Sequence, residues 1–502
     1  MELATFGYLL FLAVSLFLYF CLPARFQWIV ILADNLIFYC LNAEPVTLLY
    51  LGGSVLTVYF ATLFFQKSTN PSRKKIVLLL ALLLCAGLLF VLKYSNLFIN
   101  TVRYFTGETT SLQPVSWLLP LAISFYSLTL ISYLLDCYWG IAAFQSNPLK
   151  LFAFISFFPL MVSGPIQRYA KVGEEFFREH SFDYARVTEG MKRIAWGMVK
   201  KLAVSNRLSP LVSSIWNDPG SYHGLMIWAG ILLYLLQLYT DFSGCMDIAL
   251  GTAQCFGLAL EENFEAPFLS KTTQEFWQRW HITLGKWLRD YIMNPILKSA
   301  GMQKLMTRCV GRFGKKKGKK IPLLLSMLVL WLCMGLWHGD SWKYILGEGF
   351  WFWLVIALGQ IFGPAFQKWK TALHIKDNLA FRAFQVVRTN LIFAFGMIFF
   401  KAASLPDAFS RIGAMFRLTG NAAVSPAVKA WTDQMGISGL AVFFPALLLL
   451  VIADVLIYRK QNPFEVLKKL HPVLRWCLYA ILIYFIMSSY VIEGEGFAYA
   501  RF

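Results

Sequence analysis

The stretch Trp331 to Trp342, WLCMGLWHGDSW, sets an imidazole, His338, at the end of an apolar run that begins at Ile321. A histidine in such a run is costly unless its ring nitrogens find partners or move protons. Gly339 follows at once and Trp337 and Trp342 flank the pair, so the backbone can bend or be closely approached while apolar rings exclude water. The chemistry open to it is general-base catalysis. A hydroxyl attacking an acyl group must lose its proton as the new bond forms, and imidazole is the side chain suited to that near neutral pH. The residues alone also admit a plainer reading, in which a histidine at a helix end meets the headgroup zone beside aromatic anchors.

A second imidazole stands in EFWQRWHITLGKWLRDY, Glu275 to Tyr291, where Trp277, Trp280 and Trp287 alternate with Arg279, His281, Lys286, Arg289 and Asp290. That pattern suits a helix lying at an interface or dipping part of the way into a bilayer. It falls in a part of the chain, Leu149 to about Leu297, where apolar runs are short, charges frequent, and Gly164-Pro165 and Pro219-Gly220 break the rhythm. Irregular backbone at membrane depth survives only where protein or a water-filled cavity satisfies its polar groups, so this region is expected to line something. Asp241 and Asp247, in TDFSGCMD, read as buried hydrogen-bonding partners with a structural role. His180, His223, His374 and His471 stand near loops and receive no assignment. Cys333 and His338 are five apart, which does not stack them on one helix face, and the nine cysteines contain no CxxC pair, so no metal site is expected.

The elements that must hold these residues are membrane helices. Of 502 residues 58% are hydrophobic, 17% aromatic and only 15% charged, and the mean hydropathy is +0.57, which places the chain outside soluble globular proteins. The formal net charge of +19 raises the possibility of a nucleic-acid partner. The basic residues lie instead in short runs between apolar segments, the pattern that orients helices in a bilayer, so no nucleic acid is expected.

Segments long enough to span, about 20 apolar residues each, lie at 5–23, 26–42, 46–66, 76–93 and 117–138, then at 321–338, 341–363, 387–404, 437–457 and 474–490. The first lacks a basic leader and reads as an uncleaved span. Two basic loops, KSTNPSRKK at 67–75 and Lys298 to Lys320 with its GKKKGKK, mark the cytoplasmic side, which puts both termini outside. The fold expected is all-α and polytopic, one membrane-embedded domain over 1–502, with an extracytoplasmic tail at 491–502.

Five pieces in order resemble the membrane-bound O-acyltransferase family, in its bacterial alginate-acetylation and D-alanine-transfer branch: LPLAISFYSLTLISYLLDCYWG, FFPLMVSGPIQRY, TDFSGCMDIALGTAQCFGL, ENFEAPFLSKTTQEFWQRWHITLGKWLRDY and GLWHGDSW, spanning roughly residues 119 to 342. The resemblance implies a ring of transmembrane helices around a thin central region, with a tunnel and re-entrant or interfacial helices. It makes His338 the essential histidine and His281 the second one. Trp337, Gly339, Trp280, Arg279, Asp241 and Asp290 become candidates for lining the substrate path, with His281, an indole N–H or the Gly339 amide as oxyanion donors. Two departures stand out: RDYIMNPILKSAG lacks the paired glycines that relatives carry after RDY, and Asp340 replaces a small residue.

The last six residues, FAYARF, resemble the Phe-x-Tyr-x-x-Phe ending of acyl-accepting tails, which implies a transient ester on Tyr499; the plainer reading is an aromatic tail anchored in the interface. The expected activity is transfer of an acyl group, acetyl in the first instance, from a cytoplasmic thioester toward a cell-envelope polysaccharide. The donor is acetyl-CoA or an acyl carrier protein, used as co-substrate with no bound cofactor. Membrane lipid and an extracytoplasmic transferase are the other partners, and the expected location is the bacterial plasma membrane. Lys315 to Lys320 could draw in an anionic donor or serve only as a topology signal with affinity for anionic lipid. D-alanyl transfer to teichoic acid is the alternative within the family, and a transporter or channel the alternative outside it.

Overall fold

The computed structural model describes residues 1–107, 112–217, 222–417 and 424–490. Among these residues the chain is helical, with a single isolated bridge between Phe264 and Trp280. Nine helices among the described residues are long and apolar enough to cross a membrane. Their outward faces carry large apolar side chains, Leu83 being 68% exposed, Leu49 74% and Met487 71%. Surfaces of that kind are stable against lipid and a liability in water, so the protein is a multi-pass membrane protein.

Eight of the ten expected spans fall among these helices, while the first and fifth are shorter helices, Phe6–Cys21 and Ile123–Trp139; several ends differ for reasons that local chemistry explains. The fourth runs over Pro71–Thr106, far longer than 76–93, because Asn70 caps the Arg73 amide and Pro71 starts the helix inside the basic loop. The fifth begins only at Ile123, behind Ala122 in a left-handed conformation at φ 61°. The basic segment expected as a loop is the helix Ala300–Gly318, bent at Gly314, whose φ of 76° only glycine adopts without strain. Leu225–Cys255 is a 31-residue helix suited to spanning, inside the region expected to be broken throughout. Two charges and two glycines in TDFSGCMDIALG obscure its periodicity in the sequence.

The chain divides into two compact units. One holds Met1–Ala203, Thr240–Glu262 and the segment from Ile481 onward; the other holds Val204–Tyr239 and Asn263–Ala480. In the first unit, Lys201 Nζ lies 2.7 Å from Asp241 Oδ1, the two side chains 4% and 0% exposed. Lys200 pairs with Asp247, and Arg193 reaches Asp247 at 3.0 Å and Glu262 at 2.5 Å. Charges at that depth persist only when paired and hydrogen-bonded. Asp241, expected to be a buried hydrogen-bonding partner or to line the substrate path, is a buried partner of Lys201. Gly197 and Gly244 let the two helices that carry these residues touch, since a Cβ on Gly197 would meet the Gly244 carbonyl oxygen at 2.5 Å.

Candidate active site

Both imidazoles of interest lie in the second unit. The helix Lys320–His338 has His338 as its last residue; Gly339 is extended, and after Ser341 the chain winds through Trp342–Tyr344 and a π-helical turn, Ile345–Phe350, into Trp351–Ala372. The turn packs directly on the histidine's helix. A Cβ on Gly335 would sit 2.5 Å from the Tyr344 carbonyl oxygen, and one on Gly339 would sit 2.2 Å from the Tyr344 ring. Gly339 is thus required by close packing, whatever its amide does in the reaction.

His338 is 3% exposed. Its Nδ1 donates to the Met334 carbonyl at 2.8 Å, and Glu348 Oε2, from the π-helical turn, stands 2.9 Å from the same nitrogen. Two oxygen acceptors facing Nδ1 put the proton there, which makes Nε2 the basic nitrogen. Around the ring stand Trp337 at 4.9 Å, Phe400 at 5.8 Å and His281 at 6.4 Å between centroids. Lys343 secures the Phe400 side, donating from Nζ to the carbonyls of Ala402 at 2.5 Å and Phe400 at 3.3 Å, at the end of the helix Leu379–Lys401.

His281 arrives by a different route. The helix expected across Glu275 to Tyr291 is interrupted: Thr273–Arg279 and Ile282–Leu288 are separate, and His281 between them has φ 48° and ψ 50°. A left-handed conformation at a non-glycine residue stores roughly 1–3 kcal/mol and persists where its surroundings over-determine it. Asn263 does so here. Its Oδ1 accepts from the Thr283 amide at 3.0 Å and the Thr283 hydroxyl at 2.9 Å, while its carbonyl accepts from the Ile282 amide at 3.1 Å. Since a backbone amide can only donate, the atom 3.3 Å from His281 Nδ1 is an acceptor, and Nδ1 carries that ring's proton as well. Burial first, then the neighbouring His338, hold His281 well below the usual imidazole range, so it is neutral. In that tautomer its Nε2 offers a lone pair, not the N–H expected of an oxyanion donor.

The remaining candidates divide. Trp337 packs against both histidines, 5.5 Å from His281 and 4.9 Å from His338. Trp280 belongs to an aromatic core with Phe276, Phe264 and Phe393. Arg279 binds Glu275 and the Glu265 carbonyl and stacks 4.9 Å over Tyr458. Asp290 contacts Arg289 and Asn294 in its own turn. Tyr499 lies outside the described residues. Asn263, Glu348 and Lys343 are not apparent from sequence patterning, although Glu348 carries one signal, being a carboxylate within the apolar stretch 341–363. Among the described residues no group of three or more His, Cys, Asp or Glu could hold a metal ion.

Residues 142–400 match the model of MBOAT, the membrane-bound O-acyltransferase family. The chain is 29% identical over 411 residues to a probable alginate O-acetylase AlgI of Pseudomonas aeruginosa, covering 81% of this chain and 73% of that protein. It is 26% identical over 447 residues to a peptidoglycan O-acetyltransferase of Helicobacter pylori, covering 82% and 78%. A teichoic acid D-alanyltransferase of Bacillus subtilis is 31% identical over 235 residues, covering 45% and 55%.

Proposed function

The chain belongs to the membrane-bound O-acyltransferase family, and from that premise we propose that it moves an acetyl group from a cytoplasmic thioester toward hydroxyls of an extracytoplasmic cell-envelope polysaccharide. The observation that carries this reading is the pair of buried imidazoles 6.4 Å apart, with His338 Nδ1 hydrogen-bonded to the Met334 carbonyl and a carboxylate oxygen 2.9 Å from the same nitrogen. Both O-acetyltransferase relatives align over more than four-fifths of this chain and the D-alanyl relative over 45%, which favours acetyl over D-alanyl.

The transfer proceeds in balanced steps. An acceptor hydroxyl attacks the thioester carbonyl as His338 Nε2 takes its proton; the tetrahedral intermediate collapses, the C–S bond breaks, and the departing thiolate takes the proton back from the imidazolium. His281, neutral and offering a lone pair, orients the attacking hydroxyl by accepting from it. Trp337 and Phe400 keep water away from the thioester. If the first hydroxyl is that of Tyr499, the acetyl rests as a tyrosyl ester until a glycan hydroxyl displaces the phenol on the outer side, and only the small acyl group crosses the membrane. The donor is acetyl-CoA or a carrier-protein thioester, and a separate extracytoplasmic transferase completes delivery from the plasma membrane.

The relay is tested by mass spectrometry of the C-terminal peptide from cells lacking the downstream transferase. An alkali-labile addition of one acetyl that vanishes in Tyr499→Phe supports it, an alanyl mass moves the assignment to the D-alanine alternative, and an unmodified peptide removes the relay.

A further inference from the structure

Glu348 is 3% exposed, lies within a candidate membrane-spanning stretch, and its Oε2 has no hydrogen-bond partner. It stands 2.9 Å from His338 Nδ1, but that N–H is directed at the Met334 carbonyl. A buried carboxylate oxygen left in this state is expensive, and an unsatisfied buried group of this kind calls for an explanation in function or strain. The backbone around it is built to keep it there. The π-helical turn carries Glu348 between Gly347 and Gly349; a Cβ on Gly347 would sit 2.1 Å from Phe399 and one on Gly349 2.8 Å from the Trp331 carbonyl oxygen. On the other side Gly335 admits the turn to the histidine's helix. Close contacts on both sides thus hold a single carboxylate against a single imidazole.

We propose that Glu348 is the positioning residue of the reaction, an anion held beside His338 to stabilise the imidazolium that forms when the histidine takes the hydroxyl proton. The proposal rests on His338 acting as the base. The Met334 carbonyl by itself fixes the tautomer, so the carboxylate is not needed for orientation. What it adds is charge. A base awaiting its proton is neutral and gains little from an anion at which its N–H does not point. Once Nε2 is protonated, both ring N–H groups belong to a cation, and the oxygen at 2.9 Å faces a full positive charge in a medium that screens poorly. The stabilisation is therefore larger in the transition state than in the ground state, which is the condition for raising turnover and not affinity. Among the described residues, His281 acts on His338, Tyr344 on Glu348, and Asp340, Asp407 and Lys401 on Lys343; Lys343 is engaged by the Phe400 and Ala402 carbonyls.

The test separates charge from shape. Glu348→Gln keeps the shape and loses the charge, while Glu348→Asp keeps the charge one methylene further back. Acyl transfer by the full-length protein in membranes is measured for both, with donor KM and turnover determined separately and His338→Ala run in the same series. Glu348→Gln is expected to lower turnover by roughly 100-fold with KM unchanged, less than the ~10⁴-fold loss when a catalytic triad loses its aspartate, because Met334 still holds the tautomer. Glu348→Asp is expected to retain more turnover than Glu348→Gln. The reverse order, an equal loss in both, or a loss confined to KM overturns the proposal while leaving His338 as base. Normal transfer in His338→Ala overturns the underlying reading instead.

Discussion

At the residue scale the site consists of two imidazoles prepared in the same way. Each carries its proton on Nδ1, one toward a helix carbonyl with a carboxylate standing beside it, the other toward an asparagine fixed by Thr283. His338 was legible in the sequence because histidine is rare in an apolar run, and His281 through the family resemblance of the segment that carries it. Asn263 was not, since an amide between Glu262 and Phe264 has no pattern, and its importance comes from a backbone reversal that only the fold reveals. The neutrality of His281 has a measurable consequence. Its affinity for protons is lower in the folded chain than in the unfolded one, so the unfolded state binds more protons as pH falls below about 6.5, and stability declines with it. His281→Gln removes that titration. Melting curves in detergent between pH 7.5 and 5 are expected to fall less steeply for the variant than for wild type; equal slopes would show that His281 is not held neutral.

At the element scale the decisive contact is between the helix Lys320–His338 and the π-helical turn Ile345–Phe350. The span itself was legible, as an apolar run leaving a basic segment. The turn was not, because the extra residue of a π-turn leaves no mark on composition. Gly335 sets the spacing, with 2.5 Å available between its would-be Cβ and the Tyr344 carbonyl oxygen. Gly335→Ala must push the two elements apart, at a cost of roughly 1–3 kcal/mol typical of overpacking, and the displacement draws Glu348 away from His338. Thermal melting and acyl transfer are both expected to drop, transfer by more than the loss of folded protein explains. Unchanged transfer would mean that this spacing does not set the chemistry. The Leu225–Cys255 helix teaches the complementary lesson. Asp241 and Asp247 made it read as broken, yet their charges are met within the first unit by Lys201, Lys200 and Arg193, and the helix stays continuous through them.

At the scale of the whole molecule, apolar composition and basic runs were sufficient to establish a multi-pass membrane protein, and the ordered motifs were sufficient for its family. The residues that pair deep inside each unit were not, because ion pairs join positions far apart in sequence. Lys201 and Asp241 show what such a pair does for the fold. Asp241→Asn leaves a buried ammonium without its anion and is expected to lower stability by about 3–5 kcal/mol, read as a loss of folded protein in detergent. Replacing both residues by apolar ones of similar size should recover much of it; if the double variant is as unstable as the single one, the charges are needed for more than each other.

Orientation is open to a direct check. Alkaline phosphatase, active only outside the cytoplasm, should be inactive when fused at Lys316 and active when fused after Phe502, and the opposite pattern would invert the proposed topology.

The account as a whole stands on His338 acting in acyl transfer. Ester-linked acid released from the cell envelope by mild alkali should be measured in cells carrying wild type or His338→Ala, with membrane levels of the two proteins matched. Loss of the released acetate to the level of cells without the protein is the predicted result, and wild-type acetate from His338→Ala would contradict it.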